Sequence, residues 1–266
     1  MALTATKKQY IDPKITIVGA GPGDPDLISV KGVNALKEAN VILYDALVDE
    51  RLLAYAPQEC IKVYVGNPSG DENFSQDVVN QLMVDYALNF GCVVRLKGGD
   101  LFVFGRGYEE LNYAASYSIE TEIIPGISSA ISVPGLQGIP VTHRGISESL
   151  WILSGNDSRG ELSPDLKDAA RSNATVVVLL GFDRLSEIVS IYQSLGKGGL
   201  PAAVIQSGSM ANEKIAVGLV NTIAEVSEEK GIDNTGPVLL IFGSAVSLHH
   251  DFQRIRRFFE LPEYRD

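Results

Sequence analysis

Cysteine is nearly missing from this chain: Cys60 and Cys92 are the two present in 266 residues. Without dense spacing they exclude a disulfide-stapled scaffold and fit reduced structural thiols in a cytoplasmic protein. Histidine is nearly as scarce, and none of His143, His249 and His250 stands at ligand spacing from a cysteine or carboxylate, so no metal site is expected. Long apolar runs are missing too, and none approaches the roughly 20 residues of a membrane span. The opening MALTATKKQYIDPK carries two lysines with no apolar stretch behind them, which is not a secretory signal. Basic residues are the minority, 22 against 33 acidic, for a net charge of −11. With no basic tail or stripe, a nucleic-acid partner is disfavoured. An anionic small substrate remains open, because clustered arginines can build a positive pocket in an acidic protein. Neither GxSxG nor a P-loop lysine occurs, so no motif points to a serine hydrolase or kinase.

Apolar residues make up 45% of the chain, enough for one large core or two moderate ones. Residues 14–124 alternate strand and helix patterns. Strands are expected at 14–18, 41–43, 61–65, 93–96 and 120–124, with helices from about 27, at 51–56, at 78–90 and at 109–117. Ser29 is a plausible cap, and Gly91 ends a clear three-four stripe running from Val78 to Phe90. This alternation implies a mostly parallel, covered sheet. The second half predicts strands at 150–153, 176–180, 202–206, 215–219 and 238–242, with helices near 165–171, 184–194 and 220–230. The connection SGSMANE points to a hairpin, hence a mixed sheet. The expected organisation is an arm at 1–13, a first α/β domain at 14–124, a linker at 125–145 that also lines a site, a second α/β domain at 146–248 and a tail at 249–266. In that tail Phe252, Ile255 and Phe258 form a weak helix or a docking arm.

The stretch VVRLKGGDLFVFGRGYEE, residues 93–110, concentrates the chemistry. A short apolar strand empties into Lys97, Gly98, Gly99 and Asp100, a turn too glycine-rich to continue as strand or helix. Ligands of open α/β sheets bind outside the carboxyl ends of strands, and bare backbone there permits close approach. Arg106 offers a planar fork for a carboxylate or phosphate. The plainer alternative is an ordinary βα turn with a solvated arginine.

GAGPGDP, residues 19–25, has glycines suggestive of a dinucleotide loop. Pro22 stiffens it, however, and Asp24 and Asp26 place negative charge where a pyrophosphate would lie. Such a loop suits a neutral or cationic ligand, or is simply a rigid turn. Asp45 ends a strand expected beside the first one. His143 is open to a capping or packing role.

Several separated blocks resemble the tetrapyrrole methylase family: GAGPGDPDLIS, YDALV, RLKGGDLFVFGRGYEE, PGISSA, GIPVTHRG, TVVVLLG, PAAVIQSG and GPVLLIFG, over residues 14–246. The resemblance implies a two-domain α/β fold with an active-site cleft between the domains. It implies S-adenosyl-L-methionine as methyl donor, released as S-adenosyl-L-homocysteine. The acceptor it implies is uroporphyrinogen III, methylated at C2 and C7 to give precorrin-2 on the way to siroheme or cobalamin. A homodimer is implied, with no nucleic-acid or membrane partner. Carried over by residue, Pro22, Gly98, Gly99, Asp100, Val103, Ser128, Ser129, Leu180 and Gly208 correspond to the donor site. Arg106, Glu109 and Arg144 correspond to substrate and catalytic positions, with Asp45 close by. Arginines suit an acceptor bearing eight carboxylates.

The chain departs from the family pattern at Leu101, Tyr108 and Leu180, at Asn67, Pro68 and Glu72, and at Asn156. A methylase acting on a later corrin precursor is the nearest rival. A nicotinamide oxidoreductase is disfavoured by Pro22 and the two aspartates, and a non-catalytic binder leaves Arg106, Glu109 and Arg144 unexplained. With no dehydrogenase-like extension before residue 14, a fused siroheme synthase is not expected.

Overall fold

Lys14–Gly19 forms β1, with every residue after Lys14 buried. It is followed by β2 (Val41–Tyr44), β3 (Ile61–Tyr64), β4 (Cys92–Lys97) and β5 (Glu120–Ile124). In the computed structural model residues 11–66 and 75–252 are described, and the chain divides into two units between Ile127 and Ser128. The first sheet has the order β3-β2-β4-β1-β5, with every neighbouring pair parallel. The strand ending at Asp45 therefore does not lie beside β1, as chain order suggested. β4 separates the two because Val93 to Lys97 is buried throughout, as a central strand covered on both faces must be.

Local signals explain the helices of this unit. α1 (Val30–Glu38) starts where the Ser29 hydroxyl accepts the Gly32 amide at 3.0 Å. α2 (Gln76–Phe90) buries Val79, Met83, Val84 and Ala87 against the sheet. Each of the larger three contributes about 1.5–3 kcal/mol. Gly91, at φ 94°, ends it by turning its amide onto the Ala87 carbonyl at 2.9 Å. α3 (Gly107–Ser116) opens directly out of the β4 loop. The helix expected at 51–56 is a 3-10 segment, Glu50–Tyr55, begun by Asp49 accepting the Arg51 amide at 2.8 Å.

In the second unit, the segment expected as a linker holds α4 (Ser129–Leu136), with Pro134 inside it. Pro134 and Gly135 read as turn formers in the sequence, but burial of Ala130, Val133 and Pro134 carries the helix through them. There follow β6 (Leu150–Ser154), α5 (Leu166–Arg171), β7 (Thr175–Leu179), α6 (Leu185–Ser194), β8 (Pro201–Gln206), β9 (Lys214–Leu219), α7 (Ile223–Glu229) and β10 (Val238–Phe242). Their order is β6-β7-β10-β8-β9, with only β6 and β7 parallel to a neighbour and β8 and β9 paired as the expected hairpin. Tyr192 stacks on Phe242 at 4.7 Å between ring centroids in the core of this unit. Phe252 is also buried there. Ile255 and Phe258 lie outside the described residues, as do residues 1–10 of the arm and Asn67, Pro68 and Glu72. No described helix is long and apolar enough to cross a membrane.

Candidate active site

Parallel pairing brings the segments after β1, β2, β4 and β5 to one edge of the first sheet, the carboxyl ends of its strands. The chain leaves β1 toward β2 and β4 toward β5, in opposite directions, so the β1/β4 boundary is the switch point where α/β sheets take ligands. Here three bare backbones meet. A Cβ on Gly19 would fall 2.4 Å from the Gly126 nitrogen, and one on Gly126 would fall 2.2 Å from the Gly99 carbonyl oxygen. The loop after β1 and the turn after β4 are locked together: Gly99 N–H donates to the Gly21 carbonyl at 2.7 Å and Gly21 N–H donates back at 3.3 Å. Gly99 itself has φ 69°, and a Cβ there would meet nothing within 4 Å. The turn thus presents bare backbone to open space. This places Gly98, Gly99 and Asp100 directly against the loop carrying Pro22.

Asp100 and Asp24 act first on their own loops. Asp100 accepts the Phe102 and Val103 amides at 2.9 and 3.1 Å, and Asp24 accepts the Asp26 amide at 3.0 Å. Phe102 and Phe104 are half exposed, Phe104 with φ 55°, and Tyr108 is exposed. Leu101, by contrast, is fully buried. Asp45 accepts the Gly98 amide at 3.3 Å and the Leu47 amide at 3.2 Å, so it belongs to the same turn.

Arg106 and Glu109 form a pair at the start of α3, with the guanidinium Nε at 3.0 and 3.1 Å from the two carboxylate oxygens. Both side chains are more than half exposed. The Arg106 hydrogen bonds hold the Glu109 carboxyl below its usual range and raise the guanidinium. Arg95 and Lys97, adjacent to the turn in sequence, are not part of an open positive field. Both are buried, and both bind Glu110 Oε1, at 3.1 and 3.0 Å, together with Gln76 at 3.1 Å. Burial pushes the Glu110 carboxyl up, but Arg95 and Lys97 outweigh it and hold the group below its ordinary value. Burial, then Arg95, pushes the Lys97 ammonium down. In the sequence Glu110 is not distinguishable from Glu109, its neighbour at the start of a helix. The spacing Arg95, Lys97 on one strand face was the signal that could have found it.

In the second unit β7 and β8 both run antiparallel to β10, so they share a direction and their following loops lie at one end of the sheet. Strained residues gather there: Leu180 at φ 54°, Ser207 at φ 51° and Ser209 at φ 69°. Leu180 is 65% exposed, and its carbonyl accepts from the Asn156 side-chain Nδ2 at 2.9 Å. Gly208 lies against α4, where a Cβ would fall 2.3 Å from Val133 Cγ1. Ser128 caps α4 by accepting the Ala130 amide at 3.3 Å, and Ser129 is its first residue. Arg144 is exposed and makes no ion pair among the described residues. His143 is exposed, with Nδ1 2.9 Å from the Arg144 carbonyl. Sequence spacing set His249 and His250 aside, yet with Asp251 they place one ligand atom each within 4.8 Å of one another. His249 Nδ1 already accepts the Asp251 amide at 3.1 Å.

A parallel α/β sheet whose switch point is packed with glycine backbone at Gly19, Gly99 and Gly126 departs from the phosphate cradle of the dinucleotide folds. Comparison with known proteins gives the family. Residues 14–224 match the family described as Tetrapyrrole (Corrin/Porphyrin) Methylases, and the chain belongs to it. It is 38% identical over 238 residues to the uroporphyrinogen-III C-methyltransferase of Methanocaldococcus jannaschii, covering 88% of this chain and 97% of that one. Against the siroheme synthase of Actinobacillus succinogenes it is 37% identical over 91% of its own length, but it spans about half of that protein (50%). Among solved structures, the uroporphyrin-III C-methyl transferase of Thermus thermophilus complexed with S-adenyl homocysteine aligns with a TM-score of 0.73 at 37% identity, over 88% of this chain and 99% of that one.

Proposed function

We propose that this protein transfers methyl groups from S-adenosyl-L-methionine to C2 and C7 of uroporphyrinogen III, giving precorrin-2. The observation that carries the reading is the backbone turn at Gly98–Gly99, open at the Gly99 Cβ position and set between carboxylate-bearing loops. The donor supplies an electrophilic methyl on a cationic sulfonium, and it suits a turn flanked by Asp100, Asp45 and the Asp24 loop better than a pyrophosphate would. In this reading Gly98, Gly99, Asp100, Val103 and Pro22 hold the donor, with Ser128, Ser129, Leu180 and Gly208 contributed by the second unit. The strained backbone at Leu180 and beside Gly208 supports that assignment.

The acceptor carbon of a pyrrole is electron-rich, so orientation matters more than activation of a nucleophile. Arg144, unpaired among the described residues, is the readier anchor for the acceptor's carboxylates. Arg106 reaches a second carboxylate after exchanging Glu109 for it. Removal of the meso proton after methylation needs a base, a role a carboxylate can fill. Asp45 fits this better than Glu109, because among the described residues its Oδ2 is met only by Arg95 Nη2 at 3.6 Å, whereas Arg106 holds both Glu109 oxygens at 3.0 and 3.1 Å. The protein works as a homodimer and takes neither nucleic acid nor membrane as partner. Incubation with uroporphyrinogen III and isotope-labelled donor, followed by mass analysis, tests the reading. A mass gain of two labelled methyl groups is expected, and methylation of only a later corrin precursor would replace this reading with its rival.

A further inference from the structure

The charged layer under the Gly98 turn is linked in a definite way. Glu110 Oε1 accepts from Arg95, Lys97 and Gln76, while Oε2 is buried with no hydrogen-bond partner. One buried carboxylate therefore faces two buried cations. Among the described residues the remaining counter-charge is Asp45, whose Oδ2 lies 3.6 Å from Arg95 Nη2. Arg95 is fixed at every arm: Nε on Glu110 at 3.1 Å, Nη1 on the Leu96 and Leu43 carbonyls at 3.0 and 3.4 Å, and Nη2 toward Asp45. Asp45 in turn uses Oδ1 for the amides of Gly98 and Leu47. Its two oxygens are thus committed to different partners, and the carboxylate cannot rotate without breaking one set. A brace serving stability alone would be expected to close on itself inside the core. This one runs from the first turn of α3, through β4, to the strand-end turn.

We propose that Arg95, anchored by Glu110, is a positioning residue that orients the Asp45 carboxylate against the Gly98 amide, so that turn and carboxylate act as one rigid unit. The inference rests on the methyl-transfer reading for its kinetic consequence, not for its geometry. A planar fork is required because separated partners are met by three different nitrogens, a span that the donors of an ammonium, all on one nitrogen, cannot cover. A buried network also fixes a single arrangement only when its members are satisfied together.

The test compares Arg95→Lys, Arg95→Met and Glu110→Gln with Asp45→Ala, using amide hydrogen exchange, S-adenosyl-L-homocysteine affinity and steady-state kinetics. Arg95→Lys keeps the buried charge and is the variant that carries the test if Arg95→Met fails to fold. The expected result is about tenfold faster exchange at the Gly98 and Leu47 amides in Arg95→Lys, as in Asp45→Ala, with no further gain when Arg95→Lys and Asp45→Ala are combined. Amides pairing β4 to β1 should stay protected. Turnover should fall about tenfold while KM for uroporphyrinogen III changes less than twofold. Unchanged exchange at the two amides in Arg95→Lys overturns the proposal, as does equal acceleration along the whole of β4, which would mark a purely structural brace. Selective acceleration in a protein whose wild type methylates no tetrapyrrole supports the positioning geometry and overturns the substrate reading instead.

Discussion

Two alanine substitutions at adjoining glycines should separate folding from donor binding. In Gly126→Ala the new methyl would stand 2.2 Å from the Gly99 carbonyl oxygen and 2.7 Å from the Gly19 backbone, and no flexible side chain is there to yield. Strands β1, β4 and β5 would have to part at their ends, so the overpacking should cost about 1–3 kcal/mol. In Gly99→Ala the methyl meets nothing within 4 Å, and the penalty is conformational, about 1–2 kcal/mol for an L-residue at φ 69°. A β-branched residue is the wrong probe at that angle, since valine adds its own strain. The open space that tolerates the alanine methyl is where the proposed donor approaches the backbone. Affinity for S-adenosyl-L-homocysteine should therefore fall at least tenfold, or about 1.4 kcal/mol. Urea unfolding gives the first quantity and calorimetric titration the second. Gly126→Ala is expected to lose more stability, and Gly99→Ala to remain folded yet bind poorly. Undiminished affinity in folded Gly99→Ala would refute the placement of the donor on this turn.

Arg106→Ala should leave the melting temperature within about 1–2 °C, because an exposed i,i+3 pair contributes about 0.2–0.5 kcal/mol. Arg106→Ala and Arg144→Lys should each lower kcat/KM by about ten- to two-hundred-fold with donor affinity retained. Destabilised variants with normal turnover would end the assignment of these arginines to the macrocycle. The Glu122 carboxyl is pulled down to about 2, first by its hydrogen bond from Lys14 and then by that from Lys31. A depressed carboxyl stabilises the fold above its unfolded value, near 4.5, and loses that contribution as pH falls toward 2. Glu122→Gln should thus cost about 1 kcal/mol or less at pH 7, with the gap to wild type closing between pH 4.5 and 2 in denaturant titrations. Light scattering at micromolar concentration should return twice the chain's 28.6 kDa, and the mass of one chain would refute the homodimer.

What the sequence by itself determined was local. Ser29 before an apolar stripe, Gly91 after one, and the alternation at 61–64 each mark an element whose cause lies within a few residues, and those elements stand close to where they were expected. The glycine turn after β4 was legible for the same reason, since a pair of glycines takes a reversal at positive φ, here 69° at Gly99, with the least strain. Tertiary structure alone decided the order β3-β2-β4-β1-β5, because which buried strand takes the centre depends on helices from both sides competing to cover it. It decided α4 as well, where packing of Val133 and Pro134 overrides residues that locally favour a turn. It also decided the fate of the charges around the site. Arg106 and Glu109 close on each other at the surface, whereas Arg95, Lys97 and Glu110 are drawn beneath the turn, where removal from water forces them to pair. A charged side chain in a sequence carries no record of which partner will neutralise it; that is settled when segments far apart in the chain are brought within a few ångströms.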